Sequence, residues 1–119
     1  MADNQINPVD YAIEAVSTRI AFYRQIQFAL DDWLRAEPSR TADYRAAQAE
    51  IDVELIPLQA ELEALDEGEV TISSPGAETI AALQAAVQRL TVRISAARAA
   101  SDFMTLIADT TTEFKDATA

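Results

Sequence analysis

The side chains able to do chemistry in this chain are almost all carboxylates. Glu50 and Glu54 stand four residues apart, so on a helix they share a face, whereas Glu61 and Glu63 do not. Two carboxylates can act as acid and base, but the groups that usually help them are missing. The chain contains no histidine and no cysteine. That removes thiolate nucleophiles, disulfides, and the usual zinc and haem ligands. A serine nucleophile would need a base, and the single lysine, Lys115, lies close to the C-terminal end. Dimetal helical bundles draw on Glu-x-x-His, which this chain cannot supply. Asp66-Glu67-Gly68-Glu69 lacks the ligand spacing of a calcium loop. The expectation is a protein that is not an enzyme and carries neither metal nor cofactor.

The carboxylates say more through their distribution. Between Ala46 and Gln88 there are nine acids and no base. Glu50, Asp52, Glu54, Glu61, Glu63, Glu67 and Glu69 make up the candidate partner-binding surface, and Asp66 and Glu78 complete the run. The arginines stand elsewhere, with Arg19, Arg24 and Arg35 early and Arg89, Arg93 and Arg98 late. Part of the acidic run is therefore expected to pair internally with flanking helices, each exposed pair contributing at most ~1 kcal/mol. The remainder would steer a basic protein partner. A formal net charge of −11 argues against direct binding to nucleic acid or to anionic lipid.

These side chains must be carried by helices. Asn7 and Pro8 fit a helix cap and first turn, and Val9, Ile13, Val16, Ile20, Tyr23, Leu30 and Leu34 line one side of a helix over about 8–36. Pro38 disfavours helical geometry in the residue before it and ends that helix. A second helix over about 41–66 presents Tyr44, Ala47, Ile51, Leu55, Leu58, Leu62 and Leu65, with Pro57 expected to kink it. Gly68 suits a left-handed helix end. Residues 67–74 form the connection, in which Val70 and Ile72 are expected to fold over the bundle end rather than offer an edge strand. Ser74-Pro75 repeats the opening of the first helix and starts a third.

That third helix, about 75–114, carries Ile80, Leu83, Val87, Leu90 and Ile94 on one face, and Phe103, Ile107 and Phe114 on nearly the opposite one. Either the chain bends near residues 96–101 into a fourth helix, or one long helix is covered on both sides. Ser95 to Ser101 are mostly strong helix formers, which favours continuity. Continuity would leave Phe103, Ile107 and Phe114 unburied. With Phe28, Val53 and Ile56, which also fall outside the helical stripes, they form a candidate apolar interface for a homo-oligomer, in the first instance a dimer. Arg19 falls inside an apolar stripe, so its stem should pack and its guanidinium should reach the edge. The last residues, 109–119, are expected to fray.

The fold expected is all-α: a single helical domain over 1–119, an antiparallel coiled-coil-like hairpin bundle of three long helices, or four if the third bends. No run is long and apolar enough for a membrane span, and the N-terminus lacks a secretory signal, so a cytoplasmic location is expected. The function expected is protein–protein interaction by complex formation, as in an adaptor, an assembly factor, a chaperone or an immunity-like binder. The alternatives are an amphipathic coat on a lipid or storage-granule surface, and a nucleic-acid mimic.

Overall fold

The computed structural model describes residues 8–68 and 76–118. The chain is all-α: four helices pack as a bundle, with no strand among the described residues. Helix α1 spans Pro8–Ala36, α2 Thr41–Asp66, α3 Ala77–Ala96 and α4 Ala100–Ala117. A short 3-10 turn, Pro38–Arg40, joins α1 to α2. Glu37, just before Pro38, leaves helical geometry at φ −130° and ψ 67°, as the proline ring requires. Tyr44 locks this hairpin by donating its hydroxyl hydrogen to Asp31 Oδ1 at 2.6 Å.

The helices occupy the corners of a square. α1 packs on α2 and α3, and α4 packs on α3 and α2. α1 and α4 meet across one diagonal, while among the described residues no Cα of α2 comes within 8 Å of a Cα of α3. The connection from α2 to α3 therefore joins two helices at opposite corners, and residues 69–75 of it lie outside the described residues. Gly68 begins it at φ +87°, the left-handed conformation that a Cβ would strain. Ser74, Pro75, Val70 and Ile72 lie outside the described residues, and so does Asn7. The first described residue of the third helix is Ala77, preceded by an extended Gly76.

The bundle differs from the continuous-helix expectation at one place. The chain leaves the helix after Ala96, with Ala97 at ψ 129° and Ala99 at φ −137°, and α4 turns back. Asp102 holds this corner: its Oδ2 accepts hydrogen bonds from the backbone N–H groups of Arg98 at 2.9 Å and Ala99 at 3.1 Å. Arg98 Nη1 donates to the carbonyls of Ser95 and Ala97. The cause is energetic. Helix propensity at the five alanine and arginine positions of the corner is worth tenths of a kcal/mol each. Folding back buries Phe103, Leu106, Ile107 and Phe114, at roughly 1.5–3 kcal/mol per side chain. Burial wins.

The same burial overturns the expected fraying. α4 is helical to Ala117, with Thr110 and Phe114 in the interior. Phe114 meets Phe22 and Tyr23 edge-on at centroid distances of 5.8 and 5.7 Å, and Phe103 leans on Trp33 at 5.9 Å. Thr110 Oγ1 is buried without a hydrogen-bond partner. Pro57 sits inside α2 on its exposed side, and the helix runs through it without interruption.

Candidate protein-binding surface

At 100° per residue, the acids of α2 divide between two flanks. Glu50, Glu54 and Glu61 face α4, where they line clefts together with α4 side chains. Asp52 and Glu63 lie on the other flank, and Glu67 is the exposed C-cap. Glu69 lies outside the described residues. The seven acids singled out in the sequence thus do not form one patch.

Nor, among the described residues, does any acid between Ala46 and Gln88 form an ion pair with a flanking helix. Arg89 pairs with Glu113 and Arg93 with Asp109, both across α3–α4, and Arg35 pairs with Asp32 within α1. Among the described residues, Asp43 is the only α2 acid in an ion pair, with Arg40 at 3.3 Å. The reason is topological: α3 stands diagonally opposite α2, so its arginines reach α4 instead. Glu50, Glu54, Glu61 and Glu63 are left facing solvent or clefts.

The groove between α2 and α4 holds two adjoining clefts of about 440 and 380 Å³, which share Glu54 and Thr111. Glu50 and Glu54 form one wall of the first, and Met104, Ala108 and Thr111 the other, over Ile107. The second runs on past Pro57, Leu58 and Glu61 to Lys115 and Thr118, with Arg19 and Tyr23 at its α1 side. Arg19 donates from Nε to the Ala15 carbonyl at 3.0 Å, so its guanidinium reaches the edge without a bidentate carboxylate partner. Burial holds its pKa below the ordinary arginine value, opposed by the nearby charge of Glu61 and by Tyr23.

Tyr23 shares a hydrogen bond of 2.7 Å with Thr111 Oγ1. Burial pushes its pKa up to about 12, partly offset by that bond, so near neutrality it is neither base nor nucleophile. A tyrosine whose folded pKa exceeds its ordinary 10.0 contributes its full stabilisation below pH 10, which is lost as pH rises toward about 12. Chemical denaturation at increasing alkalinity should therefore show stability falling across that window. Tyr23→Phe should remove part of the fall, and a curve unchanged by that substitution would contradict the assignment.

The candidate apolar interface is split by the structure. Phe103, Ile107 and Phe114 are 2, 3 and 3% exposed, so they belong to the chain's own core and present nothing to a second chain. The dimer expected on that face has no exposed side chain there through which to form. Phe28, Val53 and Ile56 are 68, 63 and 65% exposed. Phe28 points away from the core on α1, while Val53 and Ile56, three residues apart, share the outer side of α2.

Sequence reasoning missed the contribution of α4 to the groove. Met104, Ala108, Thr111 and Lys115 follow one another at spacings of four, three and four, which is a legible signal once α4 is known to be a separate helix. Among the described residues no group of three or more histidine, cysteine or acidic side chains is placed to hold a metal ion. No described helix is long and apolar enough to cross a membrane. No protein-family model matches this chain, and neither a curated protein nor a solved structure shows significant similarity to it.

Proposed function

We propose that this protein acts without catalysis, as a helical interaction module that binds a basic segment of another protein along the α2–α4 groove. One observation carries the reading: Glu50 and Glu54 have no ion-pair partner among the described residues and stand across a groove from the side chains of Met104 and Ala108. Apolar side chains along one wall supply area, and unneutralised carboxylates on the other select and steer a cation. The lipid-coat alternative fares worse, because the exposed apolar side chains of α2 are flanked mainly by acids, whereas surface-seeking helices carry lysine and arginine there.

The test begins with capture of partners by the wild-type protein and by Glu50→Lys/Glu54→Lys, identified by mass spectrometry. A partner retained only by the wild type is then followed kinetically. The double reversal should lower the association rate constant about tenfold or more at low salt and change dissociation less. Raising the salt should slow wild-type association toward the mutant value. Association that is flat in salt, or equal in the two proteins, would sink the groove reading.

A further inference from the structure

The outer side of α2 carries a second apolar seam. Ala42, Ala46, Ala49, Val53, Ile56 and Ala60 recur at spacings of four, three, four, three and four, and all six are exposed. That is the spacing of a coiled-coil seam, about 27 Å long at 1.5 Å per residue. The opposite face of the same helix already packs Ala47, Ile51, Leu55, Leu58 and Leu65 into the bundle. One helix therefore presents two seams, and the bundle covers one of them.

We propose that the outer seam is covered by α2 of a second copy of this chain, running antiparallel. A two-fold axis between Val53 and Ile56 sets Val53 of each copy against Ile56 of the other, and Ala49 against Ala60. The alanines allow the two backbones to approach closely, as small residues do. Charge fixes the direction. In this register Ala64 of the other copy lies opposite Arg45, and Asp66, two residues further along the same flank, comes within reach of its guanidinium, twice by symmetry; neither residue has an ion-pair partner among the described residues. The nearest neighbours along the flanks are Gln59 for Asp52 and Pro57 for Glu50, each two residues from direct opposition, so no acids collide beside the centre. A parallel pairing would extend the seam into Glu63 against Glu63, which is destabilising. A generic basic partner would have to tolerate Arg45 at one end. The seam's side chains are small, which puts the contact at the weak end of stable interfaces. Dissociation should therefore be visible in a concentration series.

The seam residues themselves line neither cleft of the α2–α4 groove, and salt tells the two contacts apart. Salt weakens the binding of a basic segment, whereas it favours self-association by screening repulsion between two chains of net charge −11. Analytical ultracentrifugation over a concentration series should show a monomer–dimer equilibrium. Val53→Glu/Ile56→Glu should be monomeric throughout, with unchanged helix content and melting, because both residues are exposed in the single chain. Arg45→Asp should weaken the dimer roughly tenfold, as two exposed pairs become two repulsions, and adding Asp66→Arg should restore it. The absence of native cysteine makes cross-linking clean. A mixture of Ala49→Cys and Ala60→Cys proteins should form the mixed disulfide, and Ala60→Cys alone should not cross-link. A wild type that stays monomeric at its highest soluble concentration overturns the proposal. So does a dimer that survives the Val53/Ile56 substitutions, or one that cross-links Ala60→Cys to itself.

Discussion

Phe103→Glu/Ile107→Glu should abolish the folded state at neutral pH. Both side chains are within 3% of complete burial, so each glutamate would have to enter the interior as an unpaired carboxylate or take up a proton. Either route costs several kcal/mol per site. Two such costs, added to the lost apolar burial, reach or exceed the ~5–15 kcal/mol that holds a domain of this size together. Far-ultraviolet circular dichroism should show the helix signal collapse, with no cooperative melt remaining. The opposite result, a folded helical protein altered only in its association, would mean that α4 does not fold back on α1. The corner at Ala97–Ala99 would then have to be discarded.

Phe114→Ala should destabilise the monomer by about 3–5 kcal/mol, the range for deleting a buried aromatic ring. The ring fills the space between Phe22 and Tyr23 and makes an edge-on contact with each. It is held three residues from the end of α4, where no neighbouring turn can slide in to fill the void. Phe28→Ala is the matched control. Phe28 is 68% exposed and outside the core, so its loss should change stability by no more than ~0.5 kcal/mol. Urea denaturation should separate the two variants through the midpoint, with little change in slope. Equal effects at the two positions would contradict the placement of α4.

The sequence by itself determined three things about this chain. Polar and apolar residues alternate with helical period over α1, α2 and the first half of the 75–114 segment, and the structure has helices at 8–36 and 41–66 as that period requires. Pro38 and Gly68 mark the two ends of the α2 hairpin through backbone geometry alone. The absence of histidine and cysteine restricts the chemistry before any fold is known. Each of these is local, set by the covalent nature of a residue and its immediate neighbours. The tertiary structure alone decided the corner at Ala97–Ala99, the burial of Phe103, Ile107 and Phe114, and the diagonal placement of α3. It thereby decided that Arg89 and Arg93 pair with Glu113 and Asp109 of α4, leaving Glu50, Glu54, Glu61 and Glu63 of α2 without an ion-pair partner among the described residues. A run of helix formers such as Ser95 to Ser101 favours continuity by tenths of a kcal/mol per residue. Several large apolar side chains seeking a core favour the bend by several kcal/mol in total, and that sum exists only once the other helices are in place.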